Sequence, residues 1–164
     1  MLDGIDRRLL QALQRDARRT NAELAEEVGL SMSACAKRVS RLWSEGLIAG
    51  AVAILDRRRF RRPVTAMVTV SLTSPTQANS DAFARAMLRH DEVAQMHTVT
   101  GDFDFLLLIQ ERSIESYHAF AQATLGALPF VQAYKTTFVL GTQRNRDRLP
   151  AFCLVPAEED EPPV

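Results

Sequence analysis

Residues 20–46 read TNAELAEEVGLSMSACAKRVSRLWSEG, and the physics of this stretch decides how the chain folds at its N-terminal end. Thr20 and Glu23 make a capping box, in which the hydroxyl and the carboxylate each accept from the other residue's free backbone amide. A helix therefore starts here and turns Leu24 and Val28 inward. Gly29 ends it, because glycine adopts a left-handed conformation at a helix terminus without steric cost. Ser31 is a natural N-cap for the next helix, expected over about residues 32–45, with Leu30 placed to staple against Cys35.

In that helix Cys35, Val39 and Leu42 recur at i, i+4 and i+7 and so share one face. The opposite face is expected to carry Ser33, Ala34, Lys37, Arg38 and Arg41. Two helices joined by a glycine-centred turn, the second with small residues at its start and basic ones beyond, have the form of a DNA-reading helix-turn-helix. Small side chains permit close approach to base edges, and Lys or Arg reach bases or phosphates. Ser31, Ser33, Ala34, Lys37, Arg38 and Arg41 are the candidate contacts to double-stranded DNA.

Working outward, Asp3 can cap a first helix whose Ile5, Leu9, Leu10 and Leu13 form one apolar stripe. Beyond Gly46, residues 47–48 and 52–55 are short apolar segments expected to be extended, as a wing or linker. Arg57, Arg58, Arg59, Arg61 and Arg62 surround Phe60 and end at Pro63. That run either neutralises phosphates beside the reading helix or is a charged hinge. Trp43, the only tryptophan, is assigned to packing at a helix edge.

Net charge is zero over 164 residues, yet its distribution is uneven. Residues 1–62 hold 13 Lys+Arg against 8 Asp+Glu, net +5, which leaves 7 against 12, net −5, for residues 63–164. Such asymmetry marks a basic binding module joined to a different kind of domain.

From Val64 the pattern alternates: Val64, Ala66, Val68, Val70 and Leu72 point one way, and Thr65, Met67, Thr69 and Ser71 the other, as in a half-buried strand. Phe83, Ala84, Met87 and Leu88 mark a helix, and residues 93–100 and 103–109 two strands joined at Gly101-Asp102, a spacing that suits a tight hairpin. Tyr117, Phe120, Ala121, Thr124 and Leu125 mark a second helix, and residues 131–140 a last strand. The order βαββαβ is that of a ferredoxin-like α+β domain with both helices on one face. The uncovered face predicts a homodimer. After Leu149 come four prolines, at 150, 156, 162 and 163, and the acidic run Glu158-Glu159-Asp160-Glu161, so disorder is expected beyond about Val155.

The expected organisation is thus a helix-turn-helix over 1–50, a hinge and Arg-rich linker over 51–63, a ligand-binding and oligomerisation domain over 64–149, and a tail over 150–164. Cys35 and Cys153 form no metal motif, and no disulfide is expected. No apolar run is long enough for a membrane span and no secretory signal is present, so a cytoplasmic location is expected.

The chain resembles the leucine-responsive regulator and asparagine regulator (Lrp/AsnC) family over about residues 2–149. The resemblance rests on Leu2-Asp3 with Ile5-Asp6; Asn21, Glu23-Leu24-Ala25 and Val28-Gly29-Leu30-Ser31; Arg38-Val39 and Arg41-Leu42; Gly46 with Ile48; and above all residues 101–107, GDFDFLL. It implies a winged helix-turn-helix, a hinge strand and a ferredoxin-like effector domain that pairs into dimers and then tetramers or octamers. It also implies an amino acid or related metabolite as effector, held between dimers, with Thr98, Gly101, Asp102, Asp104, Thr136, Thr137 and Phe138 at the matching positions and no cofactor. Hydroxyls and turn amides suit a zwitterion's carboxylate and an Asp its ammonium. Two departures are Met32, where many members have proline, and Trp43 at a usually acidic position; both leave operator and ligand identity open. The competing readings are a decarboxylase of sirohaem-type tetrapyrroles, for which His97 is the candidate, and a ligand-sensing module without DNA binding.

Overall fold

The computed structural model describes residues 2–55, 59, 63–143, 149 and 153–154. The described residues divide into two compact units, one from the first 54 residues with Leu149, Cys153 and Leu154, the other within 55–144. Arg57, Arg58, Arg61 and Arg62, and the acidic run at 158–161, lie outside the described residues, whereas Arg59 is exposed.

The first unit is three helices, each started by the side chain its sequence offers. α1 (Gly4–Arg15) is capped by Asp3, α2 (Asn21–Val28) by Thr20 and α3 (Met32–Ser44) by Ser31. The Thr20–Glu23 box forms, and a second one joins Asp3 and Asp6: Asp6 N–H donates to Asp3 at 2.8 Å and Asp3 N–H to Asp6 at 3.1 Å. Gly29 takes φ +74°, the left-handed turn between α2 and α3. Leu9, Leu10, Leu24, Val28, Cys35 and Leu42 close one core, with Ile5, Leu30 and Val39 against it. Leu154 of the expected tail joins the same core, and Leu149, expected to close the ligand-binding domain, belongs instead to the N-terminal unit, where its N–H donates to Gln14 Oε1 at 2.7 Å.

The extended segments expected at 47–48 and 52–55 are not strands. Ile48 packs on the helical core, while Val52 and Ile54 are 89 % and 93 % exposed. No described strand lies beside them to take up their backbone groups, and a lone extended segment has nothing to pair with.

The second unit has the expected order: β1 (Val64–Leu72), α4 (Gln77–Met87), β2 (Val93–Thr98), β3 (Phe105–Glu111), α5 (Ile114–Thr124) and β4 (Val131–Phe138). The sheet is antiparallel, in the order β2-β3-β1-β4. Ala66, Val68, Val70 and Leu72 share a core with Phe105, Leu107 and Ile109, Phe83 and Met87 of α4, and Tyr117, Ala121 and Leu125, so both helices cover one face. Phe83 and Phe105 stack with centroids 4.5 Å apart. Leu88, one of the apolar residues that mark this helix in the sequence, is its C-cap and 74 % exposed. On the other face Thr65, Thr69, Leu106, Leu108 and Gln110 are half-buried and Met67 is exposed.

The β2–β3 connection is wider than the expected tight hairpin. The strands stop at Thr98 and resume at Phe105, because Asp104 is drawn onto the end of β1. Its N–H donates to Val70 O at 2.9 Å, its Oδ2 accepts Leu72 N–H at 2.7 Å, and its carbonyl accepts Val99 N–H at 3.0 Å. Gly101 takes φ +124° within this loop, a conformation that side chains rarely adopt.

Phe83 is fully buried, and Phe83→Ala is expected to lower the unfolding free energy by about 3–5 kcal/mol, the usual cost of emptying a packed aromatic site. Urea denaturation followed by fluorescence or circular dichroism measures it.

Candidate nucleic-acid interface and effector site

The Ser31 cap sets the start of α3: Ser31 Oγ accepts Ala34 N–H at 3.3 Å and lies 3.3 Å from Ser33 Oγ. Gly29 and this cap turn the helix so that Cys35 and Leu42 are fully buried. The opposite side is a stripe at helical spacing, Ser33, Lys37, Ser40 and Ser44, all exposed. Met32 (63 % exposed) stands beside its start, and Ala34 is half-buried. Lys37 is exposed and pairs with no carboxylate among the described residues. Ser40 and Ser44 were absent from the candidates read from sequence, although they continue the Ser33–Lys37 stripe by steps of three and four.

Arg38 and Arg41 do not stand on that outer face, which corrects the expectation. Arg38 Nη1 donates to Asp3 Oδ2 at 2.6 Å and to Asp6 Oδ1 at 2.8 Å, and Arg41 Nη2 donates to Asp6 Oδ2 at 2.6 Å. Both guanidiniums turn onto the start of α1, with side chains 30 % and 37 % exposed against 1 % for Asp6. The cause is helical geometry. Arg38 is three residues after Cys35 and four before Leu42, which places it beside the core stripe. Asp6 is likewise three before Leu9 and four before Leu10, and so faces inward from α1. Asp6 is the one buried charged residue among those described. Burial alone would push its carboxyl up, but the Asp3 N–H and the Arg41 and Arg38 guanidiniums outweigh that and lower it to about 2. Asp3 is lowered as well, by the Asp6 N–H first and then by Arg38.

Other cations of this unit are similarly engaged. Glu27 of α2 binds both Arg15 and Arg19, which holds α2 to the end of α1, and Arg18 pairs with Asp16 at 3.2 Å.

In the second unit the candidate effector residues fall into two groups. Thr98, Gly101, Asp102 and Asp104 lie at the end of β2 and in the loop after it. Gly101 and Asp102 are exposed, while one Asp104 oxygen is occupied by Leu72 N–H. Thr136, Thr137 and Phe138 lie on β4, the opposite edge of the sheet. Thr136 pairs with Val68 and Phe138 with Ala66 on the helix side, where Thr136 is bonded to the Tyr117 hydroxyl and Phe138 meets the Tyr117 ring edge-on at 5.3 Å. Thr137 pairs with Met67 on the open face. The loop holding Asp102 and Asp104 closes on the far end of β1, at Val70, Ser71 and Leu72, whereas Thr136 to Phe138 pair with Val68 to Ala66 nearer its start, so the two groups lie at different heights along β1. His97 is exposed, in register with Leu106 on the open face.

The first 42 residues carry the pattern of the AsnC-type helix-turn-helix domain, matched over residues 2–42, and the second unit that of the Lrp/AsnC ligand binding domain, matched over 65–149. The leucine-responsive regulatory protein of Escherichia coli is 34 % identical over 148 residues, 90 % of each chain. The HTH-type transcriptional regulator Zrp of Zymomonas mobilis is 36 % identical over 130 residues, 79 % of this chain and 85 % of that one. Among solved structures, a transcriptional regulator of Neisseria meningitidis in complex with L-Met superposes with TM-score 0.86 at 30 % identity, covering 94 % of this chain and 100 % of that one.

The Asp6 carboxyl lies below its ordinary 3.8 when folded, so the stability it contributes is full above about pH 4 and is lost as pH falls towards 2. A drop from 3.8 to about 2 corresponds to about 2 kcal/mol. The expected outcome is that Asp6→Asn, although less stable at neutral pH, loses less stability than the parent between pH 4 and pH 2. Urea titrations at the two pH values check this.

Proposed function

The chain belongs to the Lrp/AsnC family of transcriptional regulators, and from that premise we propose that it binds double-stranded DNA through the outer face of α3 and responds to an amino acid or a closely related metabolite. The observation that carries the DNA reading is the uninterrupted exposed stripe Ser33, Lys37, Ser40 and Ser44, which begins at the Ser31 cap. Hydroxyls and a small residue at the start of a helix can enter a major groove, where serine donates to or accepts from base edges and a lysine reaches bases or phosphate. Ser31, Ser33, Ala34 and Lys37 are the contacts in this reading, with Ser40 and Ser44 continuing the same face. Arg38 and Arg41 support the helix from behind.

The effector is held between copies of the chain. The placement of the two groups supports this reading: Asp102 and Asp104 lie against the end of β1 and Thr136 to Phe138 beside its start, and a second chain supplies what each group lacks. The neighbouring structure with bound L-Met supports an amino-acid effector. With Asp104 Oδ2 committed to Leu72 N–H, the exposed Asp102 is the better acceptor for the ligand's ammonium, and the loop amides and threonine hydroxyls suit its carboxylate. Dimers form by covering the open face of the sheet, and dimers associate further around the effector. A ligand that favours one assembly shifts the population by its differential affinity. An intact helix-turn-helix is unneeded for decarboxylation, which favours a regulator acting at the DNA in the cytoplasm over the decarboxylase reading. No helix among the described residues is long and apolar enough to cross a membrane.

Lys37→Gln is expected to weaken binding to duplex DNA across all sequences and to lower the salt slope by about 0.9 per protomer, the value of one phosphate contact; fluorescence anisotropy over a salt series reads it. A screen of the twenty amino acids by thermal shift is expected to find one that stabilises the chain, by about 2.7 kcal/mol at a hundredfold excess over Kd. Asp102→Asn is expected to abolish that shift while leaving the melting temperature without ligand unchanged.

A further inference from the structure

Most of the positive charge of the N-terminal half sits outside the helix-turn-helix itself. Residues 1–62 carry net +5, but the five arginines at 57–62 and Asp56 account for +4 of it, which leaves +1 for residues 1–55. Of the three cations on α3, two are neutralised in place. Asp3 and Asp6 hold Arg38 and Arg41 through bonds of 2.6, 2.8 and 2.6 Å, and Arg41 also lies 3.9 Å from Glu45, the C-cap residue of α3. Lys37 alone of the three faces outward without a counter-charge among the described residues.

Two features show that this acidic pair is more than a means of joining helices. First, caps do not require a charge. α2 and α3 are capped by hydroxyls, Thr20 and Ser31, whereas α1 alone combines an aspartate cap with a second aspartate at its third position. Second, a buried ion pair is a poor way to gain stability, since desolvation offsets most of its attraction and an apolar contact of equal size serves as well or better. Cys35 and Leu42 on either side of Arg38 already supply apolar packing. What a carboxylate does at this place, and a leucine cannot, is cancel charge on the helix that meets DNA.

Charge on that helix has a specific consequence. Each cation free to neutralise a phosphate strengthens binding to every sequence equally, because phosphate contacts carry no base information. We propose, resting on the DNA-binding reading above, that Asp6, assisted by Asp3, is a specificity-determining residue. By occupying Arg38 and Arg41 it withholds them from phosphates, suppresses sequence-blind attachment, and leaves contact to the serine stripe and Lys37. Asp6 touches no DNA in this arrangement; it acts through the two arginines.

The test measures binding of the full-length protein to a random-sequence duplex by fluorescence anisotropy over a salt series. The variants are Asp6→Asn, Asp3→Asn and Glu26→Gln, the last removing an exposed acid of α2. Asp6→Asn is expected to bind the random duplex more tightly and to steepen the salt slope by about 0.9 to 1.8 per protomer, one or two released guanidiniums at about 0.9 each. Asp3→Asn, which keeps the α1 cap and touches Arg38 but not Arg41, is expected to give a smaller change of the same sign and decides the matter if Asp6→Asn does not fold. Glu26→Gln is expected to leave the slope unchanged, and Asp6→Asn/Arg41→Gln to lose at least half the gain, which a purely structural role for Asp6 would not produce. A parental slope in both aspartate variants, or an equal rise in Glu26→Gln, overturns the proposal. Failure of the parent and every variant to bind any duplex instead overturns the DNA-binding reading itself.

Discussion

The N-terminal unit turns on one carboxylate. Asp6 lies in the seam between α1 and α3, 1 % exposed, with each oxygen taken by an arginine of α3 and with the Asp3 N–H as a further donor. Leaving such a group buried without partners costs several kcal/mol, so α3 has little freedom to roll or slide along α1 while the pair remains closed. The rotation this fixes places Cys35 and Leu42 inward and Ser33, Lys37, Ser40 and Ser44 outward. The face proposed to meet DNA is therefore defined from behind, by charges that do not lie on it.

Much of this was legible in the sequence because it is local. Thr20 with Glu23, Ser31 before Met32, Asp3 before Gly4 and Gly29 between helices announce their helix ends within four residues, and every one of those ends is where the chain places it. The alternation from Val64 to Leu72 gave β1 for the same reason, its period of two belonging to no other structure. What was misread depends on contacts far apart in sequence. The apolar stripe of α3 alone leaves Arg38 and Arg41 on its far side; the spacing of Arg38 from Cys35 and Leu42, and of Asp6 from Leu9 and Leu10, brings the guanidiniums and the carboxylate to the same seam. Gly101-Asp102 looked like a tight hairpin because nothing nearby shows that Leu72, thirty-two residues earlier, claims the Asp104 carboxylate. Leu154 could not be placed by any local pattern, since the core it enters lies at the other end of the chain.

The second unit illustrates how a common sheet is adapted to a shared site. Its helix side is closed by Phe83, Phe105, Tyr117 and Leu125, while its other side presents an exposed Met67 beside half-buried Leu106 and Leu108, with no described helix of this unit packed over them. The residues proposed to hold a zwitterion form two groups, one in the loop against the end of β1 and one on the edge strand β4. In the proposed arrangement, where a second copy completes the effector site, such a site reports assembly as much as ligand. Ligand binding and association are then linked, each strengthening the other by the same factor.

The claim that most depends on this geometry is that the stripe opposite Cys35 and Leu42 is the surface laid against DNA. Titrating the isotopically labelled full-length protein with a duplex, and following amide chemical shifts residue by residue, tests it directly. The account predicts the largest changes along α3 at Ser31, Ser33, Ala34, Lys37 and Ser40, and small ones on α5. Changes confined to other elements, with α3 unaltered at saturation, would contradict it.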